Sequence, residues 1–284
     1  MKESRDHMRL TAINLRDPFI LPYEGTYYMY GSRVGAQFGF DVYTSCDLCE
    51  WHGPESVFEK CADFWGETDF WAPEVHFYHG SFYMFASFRS SHRRRGTAVL
   101  ICDTPDGQFR DHSHGALTPD SWECLDGTLY VEKDGTPYLV FSHEWVQIKN
   151  GAICAMRLSE DLKEAASAPV TLWHAGDASW VSAFPEQDCY VTDGPFLHRA
   201  GKELICLWSS FDENGYAIAA ARSSDGTLLG TWKAESEPIL RGDGGHGMLF
   251  TDFSGKQKLV LHSPNSDRME RPVIYDMPDG MLTV

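Results

Sequence analysis

Arg16-Asp17-Pro18-Phe19-Ile20-Leu21-Pro22-Tyr23-Glu24-Gly25-Thr26-Tyr27-Tyr28-Met29-Tyr30 reads as a strand, a tight turn at Glu24-Gly25 and a returning aromatic strand. The unit recurs four times. Its later openings are Trp71-Ala72-Pro73-Glu74, Leu125-Asp126-Gly127-Thr128, Thr192-Asp193-Gly194-Pro195 and Gly245-His246-Gly247-Met248. Each is followed by a glycine turn (Tyr78-His79-Gly80, Lys133-Asp134-Gly135, Arg199-Ala200-Gly201, Phe253-Ser254-Gly255) and a second apolar run. With Asp17, Ala72, Asp126, Asp193 and His246 taken as equivalent, the units are spaced by 55, 54, 67 and 53 residues.

A period near 50 residues with about four strands per unit is the signature of a β-propeller. The expected fold is all-β, a five-bladed propeller of four-stranded antiparallel blades spanning residues 1–284 as one domain. Phe40–Tyr43, Ala98–Cys102, Ala152–Met156 and Ala217–Ala221 supply outer strands. Ser159–Ala168 is the one stretch that reads as a turn of helix, stopped by Pro169. The long third interval requires extra loop, placed at Ala175–Gln187.

In a propeller the first strand of each blade lies nearest the axis, so the opening residues converge on one cavity. Three aspartates and one histidine, far apart in sequence, would then share a site. An isolated Asp beside Pro or Gly is ordinarily a turn residue. Three at the same register are carboxylates held together against their mutual repulsion, an arrangement kept for chemistry, a cation or a sugar.

Composition narrows the partners. Lys and Arg number 24 against 41 Asp and Glu, a formal charge of −17 that opposes nucleic acid and anionic membrane surfaces. No apolar run reaches membrane length and the first residues lack a signal-peptide core, so a cytoplasmic location is expected. The eight cysteines fall mostly in apolar strands and behave as small hydrophobes; Cys46-x-x-Cys49 has no second pair to complete a zinc site.

The second strand of each blade returns to the level where the first began. Arg33, Phe88-Arg89, His143-Glu144-Trp145, Ser209 to Phe211 and Ser263 to Asn265 should therefore rim the mouth, with Trp71 beside its opener. Flat aromatic faces with carboxylates and amides suit sugars. His92-Arg93-Arg94-Arg95 reads as a solvated loop, with contact to an acidic sugar as its functional variant.

Arg16-Asp17-Pro18-Phe19-Ile20, Trp71-Ala72-Pro73-Glu74-Val75, Asp193-Gly194-Pro195-Phe196-Leu197 and Gly245-His246-Gly247, in this order and at blade spacing, give a chain that resembles glycoside hydrolase family 43 along its whole length. The resemblance implies inverting hydrolysis of α-L-arabinofuranosyl or β-D-xylosyl links in plant-derived oligosaccharides. It implies Asp17 as general base, Asp126 as the carboxylate that orients the acid and adjusts its pKa, and Asp193 as general acid. The family carries Glu at this last position. Asp is shorter by about 1.5 Å, and a misplacement of about 1 Å can cost a hundredfold in rate. Glu144 is the alternative acid, with Asp188 and Glu186 behind it. His246 matches a position that holds a water or a hydrated cation such as Ca²⁺; no cofactor is required.

The chemistry itself needs one protonated carboxyl and one ionised carboxylate, about 6.5–9.5 Å apart in an inverting enzyme. Arg33, Trp71, His143, Glu144, Trp145, Ser209 and His246 are the expected substrate contacts. A cytoplasmic enzyme meets short oligosaccharides, which favours cleavage from chain ends. Two other readings stay open: a retaining, fructan-type glycosidase, to which Glu123-Cys124 bears a faint similarity, and a catalytically inactive sugar-binding propeller.

Overall fold

The computed structural model describes residues 7–35, 38–184 and 188–277, and the five repeats form five antiparallel sheets set as propeller blades. Blade one holds β1 (His7–Arg9), β2 (Leu15–Tyr23), β3 (Thr26–Arg33), β4 (Gly39–Ser45) and β5 (Glu50–Glu59). Blade two holds β6 (Thr68–Tyr78), β7 (Ser81–Ser90), β8 (Arg93–Cys102) and β9 (Arg110–Asp111). Blade three comprises β10 (Cys124–Val131), β11 (Pro137–His143), β12 (Ala152–Arg157) and β13 (Val170–His174). Blade four comprises β14 (Asp193–Ala200), β15 (Glu203–Asp212), β16 (Gly215–Ser223) and β17 (Trp232–Ala234). Blade five has β18 (Gly245–Thr251), β19 (Gln257–Ser263) and β20 (Arg271–Asp276).

Four strands per blade is therefore met in three blades. Blade one gains β1 at its outer edge, where His7–Arg9 pairs with Glu50–His52, and blade five shows three strands among the described residues. Closure comes from packing, with β18 and β19 lying against β2. The hairpins follow from the turn residues: Glu24 and Gly25 (φ 47° and 81°), like His79 and Gly80 (φ 46° and 86°), are both left-handed, as a two-residue turn that matches strand twist demands.

Apolar residues fill the spaces between neighbouring blades. One cluster joins blades one and two with Met248 and Phe250 of blade five, and the others join blades two with three, three with four, and four with five. Because each blade buries both faces, its inner strands are apolar almost throughout, and fully buried Phe85, Phe141 and Trp208 mark this.

Every first strand carries a bulge near its start, with the register shifting between Arg16 and Phe19 and at the four equivalent places. The bulge turns on one left-handed residue: Asp17 (φ 53°), Ala72 (48°), Asp126 (56°), Gly194 (51°) and His246 (50°). This corrects the expected alignment. Gly194 occupies the opener position of blade four, so Asp193 stands one place earlier, level with Arg16, Trp71, Leu125 and Gly245.

Two further expectations change. Ser159–Ala168 forms turns closed by a Leu158–Ala165 bridge, because the Ser159 and Asp161 side chains accept the Lys163 and Glu164 N–H groups that a helix would use. Among the described residues, α-helix is confined instead to the single turn Trp145–Ile148. Arg93 opens β8, so the basic run is strand as well as loop. The long insertion starts with a 3-10 turn at Ala175–Asp177; its residues 185–187, Glu186 among them, lie outside the described residues. Among the described residues no helix is long and apolar enough to cross a membrane.

Candidate active site

The bulges explain how the site is held. A left-handed residue points its backbone N–H away from its own ladder, and the neighbouring blade supplies the acceptor. Ala72 N–H donates to Ser32 Oγ (2.7 Å), Asp126 N–H to Ser87 Oγ (2.9 Å) and His246 N–H to Ser209 Oγ (2.8 Å). Asp17 N–H donates to His262 Nδ1 (3.3 Å), the imidazole standing where the other blades have serine. Blade four breaks the series: Gly194 N–H donates to Asp126 Oδ2 (2.9 Å), while buried Ser142 Oγ has no partner among the described residues.

These openers converge on a cavity of about 620 Å³. Asp17, Asp126, Asp193 and His246 all line it, together with Trp71, Glu144, Trp145 and Arg33. Asp17 Oδ2 accepts from Ser32 Oγ (2.6 Å), and its Oδ1, which accepts no hydrogen bond among the described residues, faces His246 Nδ1 (3.3 Å), His262 Nδ1 (3.4 Å) and Arg16 Nε (3.4 Å). Burial alone would raise the Asp17 pKa, but His246, Arg16, His262 and the Ser32 hydroxyl overturn that and hold it at about 2. His246 Nδ1 also lies 3.6 Å from Asp126 Oδ2.

Asp193 is the opposite case. Burial and the neighbouring Asp126 charge push its pKa up to about 7, against the weaker pull of His246, Arg16 and the Tyr216 hydroxyl. Asp126 is driven well above the carboxylate range by burial and by Asp17. One cavity thus holds a carboxylate that stays ionised and a carboxylic acid that keeps its proton to near neutrality.

Glu144 is 4% exposed and ion-paired with Arg95; burial raises its pKa to about 7 despite that guanidinium. Arg95 also binds Asp69 (2.9 Å) and lies 4.2 Å over the Trp71 ring, so it is a buried brace beneath the cavity wall and not the solvated residue expected. Trp71 remains 39% exposed, leaving ring surface open to a ligand.

Three expected contacts are placed differently. His143 stacks on Trp122 (4.1 Å, 9°) and bonds Gln147, away from the cavity lining, because the tight turn into the short helix carries the chain outward there. Ser209 is fully buried, its hydroxyl used by His246 N–H. The Arg33 guanidinium lines the wall but is committed to Asp41 and Glu59 (2.6 Å each). Asp188 lies outside the lining, and Glu123 is spent on Arg89, Arg94 and the Arg95 N–H, which removes the similarity to a retaining acid/base.

The structure adds Arg16, Tyr216, His262 and Glu270 to the expected site residues. Arg16 reaches Asn265 (2.7 Å) and Glu270 (3.2 Å), and both Arg16 and Glu270 line the cavity. His262 was findable: it falls at the register of Ser32, Ser87, Ser142 and Ser209. For metal, among the described residues no three His, Cys, Asp or Glu side chains converge with the spacing of a direct site, and the Nδ1 edge of His246 is turned to two aspartates.

The sequence matches the description "Glycosyl hydrolases family 43" over residues 10–275. The endo-arabinase of Bacteroides thetaiotaomicron VPI-5482 superposes with a TM-score of 0.91 at 40% identity, covering 95% of this chain and 96% of that one. An extracellular endo-α-(1→5)-L-arabinanase of Bacillus subtilis (strain 168) is 24% identical over 67% of this chain and 70% of its own. An extracellular exo-α-(1→5)-L-arabinofuranosidase of Cellvibrio japonicus (strain Ueda107) is 22% identical over 88% and 79%. The chain belongs to glycosyl hydrolases family 43 and is an enzyme that hydrolyses O-glycosyl bonds.

Proposed function

We propose that this enzyme cleaves α-L-arabinofuranosyl links within α-(1→5)-arabinan chains and their oligosaccharides, with inversion at the anomeric carbon. The observation that carries the reading is the split between Asp17, held ionised with a pKa of about 2, and Asp193, protonated to about 7, in one cavity. Asp17 Oδ1 takes a proton from the attacking water and Asp193 gives one to the departing glycosidic oxygen, while Asp126, raised by burial as Asp193 is, titrates as a pair with it, so that the two do not ionise together and a proton is retained beside the leaving group. Trp71 offers a stacking surface to the sugar. The proposed steps use carboxylates and water only; a cation at the axis would meet His246 through water, and no step is assigned to it.

The substrate class rests on the arabinanase names of the similar proteins. Cleavage at chain ends follows only from an assumed supply of short oligosaccharides; 40% identity to an endo-arabinase supports internal cleavage instead.

The test is hydrolysis of linear arabinan, arabino-oligosaccharides and nitrophenyl pentosides, followed by proton NMR. Mixed oligosaccharides with the inverted anomer support the proposal. Arabinose alone would move it to chain ends, preferred xyloside cleavage would change the sugar, and a retained anomer would defeat the mechanism.

A further inference from the structure

Five equivalent positions precede the left-handed residues: Arg16, Trp71, Leu125, Asp193 and Gly245. Four carry side chains that line the cavity. The fifth is glycine, and its side-chain space is filled from the next blade, since a Cβ on Gly245 would stand 2.4 Å from Tyr216 Cε1. Tyr216, in β16, is fully buried, and its hydroxyl reaches Asp193 Oδ2 at 3.0 Å. Its ring stacks on His262 (5.7 Å, 21°), the residue that accepts the Asp17 N–H. His262 Nε2 faces Asn265 Oδ1 at 3.2 Å, an acceptor, so the ring is the neutral Nε2–H tautomer. A buried bridge therefore joins Asp193 to Asp17 behind the cavity.

We propose that Tyr216 is a positioning residue for the general acid, donating to Asp193 Oδ2 so that the shorter carboxyl is fixed in place and its proton is carried on Oδ1. This rests on the reading of Asp193 as the acid. A carboxylic acid whose one oxygen accepts a hydrogen bond presents its proton on the other. As the glycosidic C–O bond breaks, the Oδ1 proton passes to the leaving oxygen while the attacking water loses its own proton to Asp17. Negative charge then develops on Asp193, and the Tyr216 hydrogen bond strengthens with it. The contribution falls on the chemical step, not on binding.

The groups facing Asp193 are Asp126 from blade three, His246 from blade five, Arg16 from blade one and Tyr216, with Glu144 nearby; Tyr216 itself is faced by Asp193, Arg16, Asp126, Asp17 and His262. Tyr216→Phe deletes a single hydroxyl from this set. That hydroxyl lowers the Asp193 pKa, so its loss raises it.

The experiment compares Tyr216→Phe, Gly245→Ala and Asp193→Ala on arabino-oligosaccharides and on a dinitrophenyl arabinofuranoside, whose leaving group needs little protonation. For Tyr216→Phe we expect kcat on oligosaccharide to fall at least about tenfold with KM within about twofold. The alkaline limb of kcat should move up by about one pH unit, with a smaller loss on the dinitrophenyl substrate. Gly245→Ala, whose Cβ would crowd the Tyr216 ring at 2.4 Å and also Ser209 Oγ at 2.9 Å, should move the limb the same way. A natively folded Tyr216→Phe enzyme with an unmoved limb would overturn the inference while Asp193→Ala, losing far more on the poor leaving group, upholds Asp193 as acid. Equal losses on both substrates in Asp193→Ala would remove the acid assignment and this inference together.

Discussion

The Gly194 backbone N–H donates to Asp126 Oδ2 over 2.9 Å, the one place in the ring where a carboxylate does the work that serine or histidine does elsewhere. Because Gly194 directly follows Asp193, this bond fastens Asp126 beside the acid. Space requires glycine here: the four equivalent left-handed positions carry side chains, but at Gly194 a Cβ would fall 2.8 Å from the His246 ring. Substituting Asp126→Asn keeps an acceptor for the N–H and removes the carboxyl with which Asp193 shares its titration, so that Asp193 can ionise without meeting a second negative charge. The Asp193 pKa should then fall toward the ordinary range, so the alkaline limb of kcat moves to lower pH and activity at pH 7 drops by about a hundredfold. A limb that stays in place in the pH profile would count against Asp126 as the group that keeps the acid protonated.

The pH dependence of the unmodified enzyme follows from the same two carboxyls. Asp17 is ionised above about 2 and Asp193 is protonated below about 7, so kcat should hold across the mildly acidic range and fall as pH rises through about 7. Stability follows in the same direction for Asp193. Its pKa is raised from 3.8, so between about 4 and 7 the folded chain binds a proton that the unfolded chain has released. That contribution is complete below about 4 and is lost as pH climbs through 7. Asp17 acts oppositely, contributing stability above about 4 that disappears as pH falls through 2. Thermal melting across pH 4–9 with Asp193→Asn as control checks the sign.

Repeat spacing made the fold and the convergence of Asp17, Asp126 and Asp193 legible, because hairpin turns and apolar runs are local signals at a fixed period. The exact equivalence in blade four was not: Asp193-Gly194 and Asp17-Pro18 look alike as motifs, and only backbone geometry shows that the glycine holds the left-handed position. Tyr216 and Arg95 were invisible for another reason. Each reaches the site from the third strand of its blade, across a gap set by packing between neighbouring blades, and no sequence interval encodes that reach. His143 was misplaced because the rim rule predicts strand ends and cannot foresee the short helix at Trp145–Ile148.

Arg95 is the brace that Glu144, Asp69 and Trp71 share. Arg95→Ala leaves the buried Glu144 carboxyl without its counter-charge, and breaking a buried pair this way costs about 3–5 kcal/mol where the remaining group stays charged. Glu144, already raised to about 7, can protonate and blunt that cost. We therefore expect a loss near 2 kcal/mol at pH 6 that grows toward pH 8, measured by urea unfolding, with KM rising several-fold as Trp71 loses its underside support. A loss independent of pH would argue that Glu144 is not the group left exposed.

His262 tests whether the acceptor ring can be exchanged between blades. It is fully buried, and burial lowers its pKa to about 3, so it stays neutral through the working range and acts as a fixed acceptor and not as a titrating base. His262→Ala leaves the Asp17 N–H buried without a partner and opens a void beneath Tyr216, which should cost about 3 kcal/mol or more. His262→Ser introduces the residue that stands at this register in the four other blades and accepts the N–H in three of them, yet its hydroxyl must cover the same distance with a shorter side chain and without the stack on Tyr216. Partial recovery of stability is expected, with kcat still depressed because Asp17 and the Asp193–Tyr216 pair are no longer joined. Full recovery of kcat by serine, read alongside melting temperature, would show that accepting one hydrogen bond is all that His262 does.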